Sequence, residues 1–252
     1  MRTLIYVPII HTVADLGSIA EDITKRGIAN LGEEIWLEHR RTVEGFWDAI
    51  SRYFDSADVK GMKIYQDGMV ADGKMGEKIV EETAKAGSKN YRLVSRLLER
   101  GAVLVKTEDF ILVKEEYDRL VAIMQAKSII RKIIALLKYK LVKNRLLNKR
   151  DAFIAKRIEQ TLKPDEKAVL FIGASHKVKK RLPASIEIRE IKDTEKVRRY
   201  QKLLPFNNKY RGQFDHLGKY LVSEVRLETG SNAPDLGSTG PLNYGQVAQS
   251  KN

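Results

Sequence analysis

Two histidines in this chain stand just past short apolar runs. His11 comes after Leu4-Ile5-Tyr6-Val7, and His176 comes after Val169-Leu170-Phe171-Ile172 and the linking Gly173-Ala174-Ser175. Imidazole is a general acid–base group near neutral pH and a common metal ligand. Asp67 has a comparable placement, behind Met62-Lys63-Ile64-Tyr65-Gln66, where apolar and polar residues alternate. Two imidazoles and a carboxylate suit a divalent metal ion, with positions left for water. A metal there would lower the pKa of that water and supply a nucleophile. Without a metal, one histidine would serve as general base. His11, His176 and Asp67 are therefore the expected metal ligands and catalytic groups.

These residues need strands to carry them. Residues 4–7, 62–66, 102–105 and 169–172 read as strands, and Ile186 and Ile188 alternate with Glu187 and Arg189 as in a strand nearer an edge. The unbroken apolar run 169–172 predicts burial on both faces. In open α/β sheets, ligands bind beyond the carboxyl ends of the strands, where His11, Asp67 and His176 would lie. Thr12-Val13-Ala14-Asp15 fits a capping box, so His11 falls between a strand end and a helix N-terminus whose free N–H groups favour anions. Helices are predicted at about 33–54, 75–86, 89–100, 109–148, 151–162, 194–204 and 213–227. The fourth is longer than an ordinary globular helix, which predicts a break or a projecting helix pair. Asp151 is placed to cap the helix after it. His39 shares a stripe with Ile35, Val43, Phe46, Ile50 and Phe54 and reads as a core residue; His216 also reads as structural.

The expected fold is α/β, a mixed central sheet flanked by helices, with a long basic helical segment projecting or packed against it. One domain is expected over 1–228, with a helical insertion at about 109–148. Residues 229–252 have the composition of a low-complexity tail.

Of 252 residues, 43% are hydrophobic and 31% charged, a globular balance. With no cysteine, thiolate nucleophiles and thiolate-bound zinc or iron–sulfur centres are excluded. No apolar run reaches the roughly 20 residues of a membrane span, and the first residues lack the pattern of a signal peptide, so a cytoplasmic location is expected. The net charge of +13 is uneven: −3 over 1–126, +17 over 127–220 and −1 over 221–252. That asymmetry suggests an anionic partner such as nucleic acid, a phosphorylated ligand or a membrane surface, or simply a solubilising face. There is no phosphate-binding Gly-Lys-Ser/Thr loop, no Gly-x-Ser-x-Gly elbow and no zinc-finger or RNA-recognition signature. Tyr139 and Phe153 are the only aromatics in 127–157, too few for a base-stacking surface.

The order Asn148-Lys149-Arg150-Asp151 opening a helical pattern, then the strand Ala168–Ile172, then Gly173-Ala174-Ser175-His176, resembles the C-terminal half of the TraB/GumN group within the erythromycin-esterase/ChaN-like superfamily. Pro8-Ile9-Ile10-His11 would be the first strand–x-x-x-His unit, with Pro8 in place of the pattern's glycine, followed by a helix containing Ser18. The resemblance covers about 50 residues at the two ends of the chain. It implies His11, His176 and Arg150 as site positions, with Asp67 nearest the family's acidic residue, and Arg150 holding an anionic group or bracing the site. The activities in that group differ, from metal-dependent peptidase and antibiotic-ester hydrolysis to haem binding and pheromone shutdown, and the expected one here is hydrolysis, with or without a divalent metal ion. The alternative is a non-catalytic binding or assembly protein. It would use 127–220 for nucleic acid or another anionic ligand, or the basic–apolar helix and the tail for a protein partner or a second copy.

Overall fold

The computed structural model describes residues 1–225; the expected tail at 229–252 lies outside them. Five strands form one sheet: β1 (Arg2–Ile9), β2 (Lys63–Gln66), β3 (Val103–Val105), β4 (Lys167–Gly173) and β5 (Ile186–Glu190). Their spatial order is β3-β2-β4-β1-β5, and every pairing is parallel. The fold is the expected α/β sheet flanked by helices. Parallel neighbours require crossovers, and helices supply them.

Between β1 and β2 run α1 (Ala20–Leu31) and α2 (Glu33–Asp55); between β2 and β3 run α3 (Gly73–Lys85) and α4 (Lys89–Glu99). The connection from β3 to β4 is α5 (Phe110–Met124) and α6 (Ile129–Thr161). After β5 come α7 (Thr194–Leu203) and α8 (Arg211–Val222). The long basic segment is thus a helix pair broken between Met124 and Ile129, where Ser128 caps α6 by accepting from the Arg131 N–H at 3.3 Å. The expected helix start at Asp151 is not there. No glycine or proline interrupts 129–161, so α6 runs through it, and Pro164 stops the continuation beyond Leu162.

The period-2 alternation of the strands divides the core into two layers. Val7, Ile9, Ile64, Val169 and Phe171 face α2, α3, α4, α7 and α8. Leu4, Tyr6, Tyr65, Leu170 and Ile172 face α6, which contributes Ile154, Ala155 and Ile158. β4 is buried on both sides, as its unbroken apolar run predicts. Trp47 and Phe54 of α2 pack on Phe171 with ring centroids 6.3 and 5.9 Å away.

Topology also marks where a ligand belongs. From β2 the chain moves outward to β3, and from β4 it moves the opposite way to β5. The crevice at the carboxyl ends of β2 and β4 is therefore the switch point at which open α/β sheets bind ligands.

Candidate active site

Asp67 is the first residue beyond β2, and its backbone N–H donates to the Phe171 carbonyl at 2.9 Å, extending the β2–β4 ladder by one rung. Its side chain lies at the switch point. Oδ2 accepts the Gly173 N–H at 2.9 Å, and Oδ1 accepts from Arg150 Nη2 at 2.8 Å. Two imidazoles face the same oxygen: His176 Nε2 at 3.8 Å and His11 Nε2 at 3.9 Å. The three residues expected from strand ends therefore converge on Asp67 Oδ2.

Each imidazole has a carboxylate on its other nitrogen. His176 Nδ1 lies 2.6 Å from Asp151 Oδ1, and Asp151 Oδ2 accepts the Lys177 N–H at 2.9 Å. This pairing makes Nδ1 the protonated nitrogen and leaves Nε2 to face Asp67. His11 Nδ1 lies 4.0 Å from Asp15 Oδ2, a looser version of the same arrangement. Asp15 is held by the Thr12 N–H at 2.5 Å and by the Ser88 hydroxyl. The backbone before His11 is fixed by Trp47, whose Nε1–H donates to the Ile10 carbonyl at 3.0 Å. His176 is buried, whereas the His11 side chain is 44% exposed. His11 forms the mouth of the site and His176 its floor.

Arg150 comes from the middle of α6 and is surrounded by acids. It donates through Nε to Glu108 Oε2 at 2.9 Å and through Nη2 to Glu108 Oε1, to Asp67 Oδ1, and through Nη1 to Glu116. Of the two roles open to it from sequence, bracing the site is the one this geometry serves. Glu108 is held in place by its N–H and that of Thr107, both donating to the Met69 carbonyl at 2.9 Å, and it also accepts the Gly68 N–H at 3.3 Å.

Burial and charge pull the carboxyls apart. Burial alone would raise the Asp67 pKa, but His176, Arg150, His11 and the Gly173 N–H together hold it well below the usual carboxylate range. Burial dominates at Glu108 and raises its pKa, against the opposing pull of Arg150. At His176, burial opposes the charge but is outweighed by Asp67 and Asp151, so the net direction is upward.

Ligand atoms of Asp67, Glu108 and His176 lie within 4.8 Å of one another, close enough to hold a metal ion. Ligand atoms on a tetrahedral zinc stand about 3.4 Å apart, given bonds of about 2.1 Å. The two imidazole nitrogens are thus a few tenths of an ångström wider from Asp67 Oδ2 than a shared metal requires.

Sequence reasoning missed Glu108, Glu116 and Asp151 as site residues. Glu108 reads as an ordinary loop acid beside the helix-capping Asp109, which accepts from the Ile111 and Leu112 N–H groups. Asp151 has the residue type of a cap but lies buried inside α6. Its place in the Arg150-Asp151 pair was the one available signal. His39, expected in the core, is half-buried at its edge, with Nδ1 3.1 Å from the Tyr200 hydroxyl, and His216 is exposed on α8. No family model, curated protein or solved structure matches this chain.

Proposed function

We propose that this chain is a metal-assisted hydrolase of TraB/ChaN-like type, with its site at the β2–β4 switch point. The observation that carries the reading is the convergence of His176 Nε2 and His11 Nε2 on Asp67 Oδ2, with Asp151 behind His176. A carboxylate on the far nitrogen of a ligand histidine sets its tautomer and raises its basicity. Charge supports the fit. Asp67, Glu108, Glu116 and Asp151 crowd around one guanidinium and two imidazoles, so a divalent cation restores the balance.

In this reading Asp67 and His176 are ligands, and His11 or Glu108 completes the set. The ion, when bound, activates water and polarises a carbonyl. Arg150 keeps Asp67 and Glu108 in position. Where Glu108 completes the set, His11 at the mouth is free to pass a proton to or from a leaving group. The resemblance in the Arg150-Asp151 and Gly173–His176 motifs supports the same assignment.

The alternative, a binding protein that engages an anionic partner across all of 127–220, has less to draw on in the later part of that block: Lys179, Arg189, Arg198 and Arg211 pair with Glu190, Glu187, Glu195, and both Glu38 and Asp215.

The test is calorimetric titration with Mn2+ and Zn2+, beside assays on ester and peptide substrates. Wild type is expected to bind the ion and hydrolyse a carbonyl substrate. Asp151→Asn is expected to weaken metal affinity about 10–100-fold, and His176→Ala to abolish hydrolysis. Wild-type protein that takes up neither ion would overturn the reading.

A further inference from the structure

The N-terminal half of α6 has two apolar faces. One, with Tyr139 and Leu146, lies against α5 or the body. The other is open: Ile129 is 78% exposed, Ile130 72%, Leu137 56% and Leu141 83%, with Ile133 and Ile134 beside them. At about 100° per residue these six positions fall in one stripe, on the side away from Leu146 and Arg150. Isolated exposed aliphatics are ordinary, but a continuous stripe marks an interaction surface.

Charge identifies the occupant. Residues 127–150 hold nine Lys and Arg and no Asp or Glu. Arg131, Lys138 and Arg145 run along one border of the stripe, Lys143 lies beyond the other, and Lys140 sits between Ile129 and Ile133. Among the described residues, Lys127, Arg131, Lys138 and Arg145 have no carboxylate within ion-pair distance. A second copy docking stripe to stripe would bring two such borders together, and like charge disfavours it. An apolar stripe bordered by cations instead matches the boundary between acyl chains and anionic headgroups. No helix among the described residues is long and apolar enough to cross a membrane, so α6 would lie in the interface plane.

We infer that the α5–α6 hairpin docks on the surface of an anionic bilayer through this stripe. The active-site half of the same helix begins at Leu146, more than 20 Å along the axis from Ile129 at about 1.5 Å per residue.

The experiment is flotation of the full chain with phosphatidylcholine vesicles, with and without phosphatidylserine. Wild type is expected to float with phosphatidylserine vesicles and to be released by raised salt. Ile130→Asp with Ile134→Asp is expected to abolish flotation. Arg131→Glu with Lys138→Glu is expected to weaken it more than tenfold, since each surface cation contributes about fivefold. Both pairs are exposed, and an unchanged thermal midpoint shows that the variants fold. Wild type that fails to float, or variants that float as wild type does, would overturn the inference. So would a wild-type dimer in light scattering that Ile130→Asp with Ile134→Asp converts to monomer.

Discussion

At Gly173 a Cβ atom would stand 3.1 Å from Asp67 Oδ2, 3.6 Å from His176 Cδ2 and 3.9 Å from His11 Nε2. Glycine is required there by the close approach of three site residues, because the backbone itself is ordinary strand. Gly173→Ala pushes Asp67 by a few tenths of an ångström and crowds the N–H that it accepts. Metal affinity in calorimetry is expected to fall at least about tenfold, while the thermal midpoint moves by only about 4 °C. Unchanged affinity would mean that Asp67 Oδ2 is not a ligand. Charge at this scale is equally local. One guanidinium, Arg150, serves three acids, so removing it would leave Glu108 buried beside Asp67 without its guanidinium partner, while Asp67 would keep only the two imidazoles.

At the scale of elements, α6 does two different jobs along one axis. Its C-terminal half is core: Ile158 is fully buried between the sheet and the body of the helix. Ile158→Ala is expected to lower unfolding stability by about 2–5 kcal/mol, from lost transfer energy and the cavity left behind. Its N-terminal half is surface on the stripe side, and Ile134, 46% exposed, is expected to tolerate Ala within about 0.5 kcal/mol. Urea unfolding of the two variants measures the contrast directly. If both cost the same, the division of α6 into a core half and a surface half is wrong. The joint between the halves is where Arg150 and Asp151 sit, so the helix that carries the exposed stripe also orients His176.

At the scale of the whole molecule, the half-buried imidazole of His39 contributes to the dependence of stability on pH. Burial lowers the His39 pKa from 6.5 to about 4, and no opposing charge restores it. The unfolded chain then binds a proton between about pH 4 and 6.5 that the folded chain does not, so folding weakens as pH falls through that window. The slope is about 1.4 kcal/mol per pH unit, and the total is of order 3 kcal/mol. Above pH 6.5 the contribution of neutral His39 is fully present. His39→Gln keeps a polar group near Tyr200 but cannot titrate. Urea midpoints for this variant are expected to change less between pH 7 and pH 4.5 than for wild type. Parallel pH dependence in both proteins would place the effect elsewhere.

The sequence by itself determined the strands, the α/β class and the strand-end positions of His11, Asp67 and His176. Each depends on local alternation or on an apolar run a few residues long, which the backbone geometry of a strand converts directly into faces and ends. The break within 109–148 was legible from length, since no single helix of that length suits an ordinary domain, but the second helix runs on to Thr161, past its expected end. Only the tertiary structure decided which acids enter the site. Arg150 meets Glu108 across 42 residues and Asp67 across 83, and Asp151 meets His176 across 25. No local periodicity encodes such distances; they follow from the strand order that places β4 beside β2 and from the packing of α6 on that face of the sheet. The same packing turned Asp151 from a helix cap into the carboxylate behind His176.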